Sequence, residues 1–392
     1  TLFMRYPSTW WHDFWREGLP AGNGTIAANV YGGVKEETTM IQHHDLWHCG
    51  KEEEVPDVSE AFRRQREMMD REEFREASWE VVNELKSKDY KSQLESQLPV
   101  ADLLMVIQPN VGFENYIRGI HMDSGEVGSE WEDGDSARSS YLFVSRTKDM
   151  IVKQVTSTNA DLNIRFSMDI HKNEGSDRAK QYAEHVFETK KIGIEAPFLT
   201  YTAQNDDGTL YGAVARIIPE NGEMENAPHG IKVKNTNRIT VLIKVFVKEN
   251  PQNEVKILAD LKKELSAVNE DYETLRDEQA KEHGKWYNSA EFTLEYKGTY
   301  HCNEDLLAAA YSGKQPIELI EKLWKYGRYL FISGTSESSN PFPLYGMWGG
   351  DYRLQWSHNM ANENTQMIYW HSYVGNLLPF QKGLYKYYSD RI

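Results

Sequence analysis

Apolar and polar positions alternate in three distinct textures along this chain of 392 residues. Between about 98 and 250 the apolar residues come in short β-branched and aromatic runs, at 103–107, 141–144, 150–155, 162–166 and 239–246. Turn signals such as Asn205-Asp-Asp-Gly208 and Glu220-Asn-Gly222 separate them. Many short strands with no helices between them predict a large antiparallel sandwich. The N-terminal 50 residues join it. Trp10, Trp11 and Trp15 precede a Gly/Asn turn signal at Leu19-Pro-Ala-Gly22-Asn23-Gly24, and 26–34 reads as extended, closed by Gly32 and Gly33.

A second texture interrupts the first. Residues 59–95 are dense in Arg, Glu and Lys. Phe62, Met69, Phe74, Trp79, Val82 and Leu85 recur at helical spacing. The pattern predicts two short surface helices whose charge run is their solvated face.

The third begins at Pro251. Val255, Leu258, Leu261, Leu265, Val268, Tyr272 and Leu275 stand three or four apart, which predicts one amphipathic helix of several turns. Its length suits a connector between domains; a coiled-coil seam is the rival reading. The stretch 283–296, with Trp286 and Phe292, reads as extended. Helices are predicted at 304–311, at 317–334 behind Pro316, and at 362–378, with a loop over 335–358. The helix at 317–334 carries Leu319, Leu323, Tyr326, Leu330 and Phe331 on its face; the last carries Met367, Tyr369, Trp370 and Val374.

Composition narrows the classes. A formal net charge of −16 with no compensating basic stripe argues against a nucleic-acid partner. A neutral substrate fits better. Aromatics at 12% suit either sugar stacking or an ordinary β-rich protein. Cys49 and Cys302 cannot make a disulfide framework or a zinc site by themselves. No apolar run approaches the ~18 residues of a membrane span, and no signal segment leads the chain. The chain opens on Thr1, so it reads as processed or as a fragment. The compartment stays open, with a secreted or cell-surface setting favoured over the cytoplasm.

Candidate chemistry concentrates at Asn362-Glu-Asn364-Thr-Gln-Met-Ile-Tyr-Trp370, behind a loop rich in Gly, Trp and Asp. Two neutral amides make a poor nucleophile and a poor metal cage. Their carbonyls can fix one water, which suggests an enzyme that aims a water at a ring-shaped neutral substrate. The plainer alternative is that Asn362 only caps a helix. An i, i+2 pair shares a face only where the backbone is still extended.

Seven segments in order resemble glycoside hydrolase family 95, the inverting α-L-fucosidases and related α-L-galactosidases. They are Leu19 through Gly33, Asp45-Leu-Trp47, the helices of 59–104 with Pro99-Val-Ala-Asp102-Leu-Leu, Tyr116-Ile-Arg118-Gly-Ile-His-Met-Asp123, Lys325-Tyr-Gly-Arg-Tyr-Leu330, Leu344-Tyr-Gly-Met-Trp348, and the Asn362 to Trp370 motif. The resemblance implies a β-super-sandwich over 1–250 with a helical insert at 59–95. A helical linker would follow over 251–299, and 300–392 would supply the first helices of an (α/α)6 barrel. It also implies that Asn362 and Asn364 orient the hydrolytic water. The general acid, a Glu, and the base, an Asp, are expected outside this chain, in a remaining C-terminal barrel polypeptide present as a second chain or a missing segment. The chain alone is therefore expected to be inactive. Glu363 and Asp351 could stand in as carboxylates, though each reads more simply as a loop or cap residue. The polar motif positions depart most from the family, as at Glu363, Ile368 and His43-His44-Asp45, so a branch acting on another sugar stays open.

The remaining candidates are aromatic or imidazole. Trp348, Trp356 and His371 flank the Asn motif and are expected to stack on or hydrogen-bond a sugar, with Trp47 reaching over from the sandwich or else anchoring its core. Trp370 reads as packing. His43, His44 and His48 with Asp45 cluster in sequence. Adjacent strand residues face opposite ways and no second ligand group has metal spacing, so no metal and no cofactor is expected. Two other functions stay open. One is a related barrel enzyme of different specificity, including a phosphorylase that would draw on Ser336, Ser338, Ser339 and Arg353. The other is a non-catalytic carbohydrate-binding protein.

Overall fold

The computed structural model describes residues 1–9, 14–48, 54–90, 96–172, 183–184, 186–296, 300–352, 354 and 362–391. Arg353, Trp356, Cys49, Trp10 and Trp11 lie outside the described residues.

In chain order the strands are β1 (Leu2–Met4), β2 (Leu19–Gly22), β3 (Ile26–Val30), β4 (Glu36–His48), β5 (Ser96–Ile107), β6 (Phe113–His121), β7 (Glu126–Asp133), β8 (Ser136–Ser145), β9 (Met150–Ser157), β10 (Leu162–Asp169), β11 (Lys191–Glu195), β12 (Phe198–Gln204), β13 (Leu210–Pro219), β14 (Glu223–Ala227), β15 (Gly230–Thr236) and β16 (Arg238–Glu249). They form a nine-stranded sheet, β1-β6-β7-β8-β9-β16-β13-β12-β11, and a seven-stranded sheet, β14-β15-β10-β5-β4-β3-β2. Strand pairing is antiparallel.

Period-two patterning explains the layering. In β10, Leu162, Ile164, Phe166 and Met168 are buried while the residues between them are not. β9 is buried almost throughout, because it is covered on both faces. The helices α3 (Glu254–Ala267) and α4 (Tyr272–Tyr287) supply the second cover. Their Leu265, Tyr272 and Leu275 pack with Phe143, Met150, Val152, Val214 and Leu242 of the nine-stranded sheet.

The single helix expected over 255–275 is thus two helices. Asp271 accepts the Thr274 N–H at 2.8 Å and caps α4, while Val268 is extended (φ −75°, ψ 114°). The apolar spacing runs through this break in phase, which hid it. The stretch read as extended at 283–296 is helical as far as Tyr287 and irregular beyond.

Residues 48–95 form a compact unit of their own. Within it, α1 (Ser59–Asp70) and α2 (Phe74–Ser87) make a hairpin. Arg64 reaches Glu80 at 2.5 Å and Glu84 at 2.9 Å, and the Gln65 amide donates to the Ala77 carbonyl at 2.8 Å.

After α4 come α5 (Asn303–Tyr311), α6 (Ile317–Gly334), α7 (Glu363–Val374) and α8 (Gln381–Ser389). The structure therefore joins a two-sheet antiparallel β-sandwich to helices of the kind that begin an (α/α) barrel. A small core holds the helices together: Phe331, Ile332, Tyr369, Leu377 and Phe380, flanked by Trp286. Arg328, buried inside α6, donates to the carbonyls of Trp286, Tyr287 and Gly375, which fixes α4 and α7 against it.

The β2–β3 turn meets the end of α6. Asn23 Oδ1 accepts the N–H groups of Thr25 and Ile26, and the Gly24 N–H donates to the Ser333 carbonyl at 3.0 Å. Gly24 has φ +90°, and a Cβ there would lie 2.3 Å from the Thr335 carbonyl oxygen. Only glycine fits both demands.

Candidate active site

The loop that leaves α6 is fastened to the seven-stranded sheet by its backbone. Three consecutive carbonyls, those of Trp348, Gly349 and Gly350, accept from sandwich side chains. The donors are Asn29 Nδ2 of β3 at 3.3 Å, Gln42 Nε2 of β4, and His171 Nε2 just past β10 at 2.8 Å. All three donors are buried. A loop whose carbonyls leave water needs such partners, since an unpaired buried one costs ~1–3 kcal/mol. Gly350 permits the approach: a Cβ there would lie 2.5 Å from Trp15. Beside this seam is a cavity of about 280 Å³, lined in part by Trp15, Tyr31, Glu36, Asp102, His171 and Asp351.

Nearer α6 the same loop is held by Asn340. Its N–H donates to His44 Nδ1 at 3.0 Å, and its amide donates to the His44 carbonyl at 3.1 Å and to Asp45 Oδ1 at 2.9 Å. Lys248 also reaches Asp45 Oδ1, at 3.2 Å. Burial works against the Asp45 charge, but His44, Lys248 and these hydrogen bonds outweigh it and hold the carboxyl below its usual value.

His43 and His44 were expected on opposite faces. Their rings instead sit 5.0 Å apart, because His43 turns back to accept the Asp45 N–H at its Nδ1, 3.1 Å away. Potential ligand atoms of His43, His44 and Asp45 fall within 4.8 Å of one another. The donor set nevertheless does not fit a cation. Both Nδ1 atoms accept backbone N–H groups, so each neutral ring carries its proton on Nε2 and has no lone pair left for a metal.

At the start of α7, Asn362 is extended (φ −123°, ψ 175°) and accepts the Thr365 N–H on its side-chain oxygen at 3.5 Å. Asn364 lies in the first turn and is exposed. His371, further along α7, lines an apolar cavity of about 410 Å³ with Trp324, Arg328, Phe331, Phe342 and Met367. Its ring meets Phe331 edge-on at 4.6 Å. Burial first, and then the Arg328 guanidinium, lower its pKa.

Residues 2–252 match the family described as Glycosyl hydrolase family 65, N-terminal domain, and residues 271–392 match the Glycosyl hydrolase family 95 catalytic domain. Through residues 2–252 the chain belongs to the Glycosyl hydrolase family 65 N-terminal domain family, and its C-terminal helices make it a family 95-like divergent member. Alpha-L-fucosidase 2 of Arabidopsis thaliana is 23% identical over 412 residues, covering 96% of this chain and 47% of that protein. Probable alpha-fucosidase A of Aspergillus niger is 23% identical over 388 residues, covering 91% of this chain and 46% of that protein. The chain thus spans about half the length of the curated relatives it matches. Among solved structures, the Putative kojibiose phosphorylase from human microbiome superposes with a TM-score of 0.49 at 10% identity, covering 86% of this chain and 42% of that one.

Within the chain the expected site residues fall in different places. Trp348 is 6% exposed, faces Phe342 with ring centroids 6.1 Å apart, and donates from Nε1 to the Ala21 carbonyl at 2.9 Å. Trp47 is equally buried and donates to the His44 carbonyl at 2.7 Å. Both rings are packed in the protein rather than presented on a surface. Trp356 lies outside the described residues. Asn29, Gln42, His171 and Asn340 were not singled out from the sequence. Asn29 and Asp102 lie inside segments that resemble the family, but nothing local marks His171.

Proposed function

We propose that the protein is a glycosidase that removes a terminal α-L-fucosyl or related α-L-sugar from a glycan, using a water oriented by Asn362 and Asn364. One observation supports the reading best. The Asn-x-Asn pair opens α7 at the far end of a loop whose backbone is fastened to the sandwich. A helix start offers unpaired N–H groups and the positive end of its dipole, which favour an oxygen-rich ligand. Inversion needs an acid and a base ~6.5–9.5 Å apart across the sugar. We assign both to polypeptide outside residues 1–392. Exposed apolar residues on α6 and α7, among them Leu323, Trp370 and Val374, support further helices packing there. The domain division proposed is 1–250 sandwich, 251–299 linker and 300–392 opening barrel helices.

A second reading, a non-catalytic carbohydrate-binding protein, draws support from the Asn362 carbonyl being engaged with Thr365. The two are separated by assaying the native full-length protein on aryl α-L-glycosides, with the product anomer followed by NMR. Release of the inverted sugar, lost in Asn364→Ala, is expected. No turnover of any α-L-glycoside, with saccharide binding retained, would leave the second reading standing. Sugar 1-phosphate formed only in phosphate buffer would mark a phosphorylase.

A further inference from the structure

His171 has an acceptor at each ring nitrogen. Nδ1 lies 2.8 Å from Asp102 Oδ1, and Nε2 lies 2.8 Å from the Gly350 carbonyl oxygen. A carbonyl has no proton to give, and an ionised carboxylate has none either. Two such contacts on one imidazole require two N–H groups, which is the imidazolium. We propose that His171 is a buried cationic latch: Asp102 holds it charged, and it pins the Gly350 end of the loop to the sandwich.

Its surroundings fit that role. His171 is 4% exposed and Asp102 7%. The second Asp102 oxygen accepts the Lys172 N–H at 3.3 Å, and the Tyr352 hydroxyl donates to the His171 carbonyl at 3.1 Å. Among the described residues the charged groups nearby are Asp102 on β5, Asp351 on the loop, and Lys172 and Glu36 on the cavity wall. Asp169, at the end of β10, is paired with Lys190 at 2.5 Å. On the neighbouring strands, Asn29 and Gln42 are neutral. Burial opposes the charged ring, but Asp102, the Gly350 carbonyl and Asp351 together overcome it and raise the pKa.

The sign follows. The unfolded ring titrates near ~6.5. A raised folded value means the latch is fully engaged below that pH and is lost as the pH rises through the folded pKa. Of the three donors along the seam among the described residues, Asn29 and Gln42 do not titrate. Alkaline release is therefore local to Gly350, Asp351 and Tyr352, on the segment that leads towards Asn362. Low pH keeps this loop ordered and high pH loosens it.

The latch forms without any saccharide, so it can be tested without substrate. Histidine-selective 15N NMR of the wild-type chain should show both His171 nitrogens protonated at pH 6.5, with titration above that. Amide exchange over 346–352 in His171→Gln should be about ten-fold faster than in wild type at pH 6.5. That ratio should fall towards one at pH 9, with β9 unchanged throughout. If His171→Gln does not fold, Asp102→Asn should lower the His171 pKa with the ring still in place. A neutral ring at pH 6.5, or an exchange difference that ignores pH, overturns the latch.

Discussion

Asn362 turns its side-chain oxygen onto the backbone N–H of Thr365, 3.5 Å away, and so caps the helix it was expected to serve as a water holder. The contact is long for a hydrogen bond, so the oxygen is weakly held and can exchange partners. Capping and water positioning are separable by substitution. Asn362→Asp keeps a good cap and should cost little stability, whereas Asn362→Ala should cost about 1 kcal/mol. Asn364 is exposed in the first turn, so Asn364→Ala should leave the melting temperature within experimental scatter. Under the hydrolase reading all three lose turnover, in excess of any stability change. Full activity in Asn364→Ala would remove the paired-amide role.

Trp348 tests the other half of the sugar-site expectation. The ring packs against Phe342 and its Nε1–H satisfies the Ala21 carbonyl. Trp348→Ala should therefore cost ~3–5 kcal/mol, the range for large core truncations. Trp348→Phe keeps most of the packing but orphans the Ala21 carbonyl, for about 1–3 kcal/mol. Denaturant unfolding measures both. A stacking platform would instead show unchanged stability with weakened saccharide binding.

Across the sandwich, Lys153 of β9 and Glu37 of β4 form a fully buried pair with Nζ–Oε1 of 3.4 Å, tying the two sheets together. Thr39 Oγ1 accepts from Lys153 at 3.1 Å, and Glu37 accepts the Gly33 N–H at 2.5 Å. Burial pushes the carboxyl pKa up and the ammonium pKa down despite the pairing. Lys153→Met alone leaves an uncompensated acid and should cost ~3–5 kcal/mol. Adding Glu37→Leu should recover most of that loss. Strict additivity in a double-mutant cycle would show that the charges do not interact.

Local rules read the elements well where their signals are local. Pro316 and the three-or-four spacing of Leu319, Leu323, Tyr326 and Leu330 mark α6, and the structure runs it over 317–334. The break before α4 was hidden because Leu265, Val268, Tyr272 and Leu275 stay in phase through it; the Asp271 cap was the available signal. No element was read beyond 378, yet α8 follows Pro379 there. The candidate site was legible only in part. Asn362, Asn364 and His371 are close in sequence, the first capping α7 and the other two on it. The donors that fasten the loop lie 319, 307 and 179 residues from the carbonyls they hold. Such pairings are set by sheet order and leave no periodicity to read.

Acid sensitivity should come from histidines held neutral. Burial, with Arg146 nearby, lowers His283 to about 3, and its Nε2–H donates to the Met122 carbonyl at 3.0 Å. Burial, with His44 beside it, likewise lowers His43 to about 3. The unfolded chain protonates both near ~6.5. Between that pH and about 3 the unfolded state binds more protons, so stability falls as the pH falls, by about 1.4 kcal/mol per unit for each ring. His171 has the opposite sign and adds no slope in this window, since it is protonated in both states there. His283→Gln should be less stable than wild type at pH 7, because a donor to Met122 is disturbed. Its acid limb from pH 6 to 4 should nonetheless be shallower by about 1.4 kcal/mol per unit. His43→Gln should behave in the same way. Chemical denaturation at a series of pH values reads both quantities. An acid limb of unchanged slope in both variants would mean that other groups drive the loss.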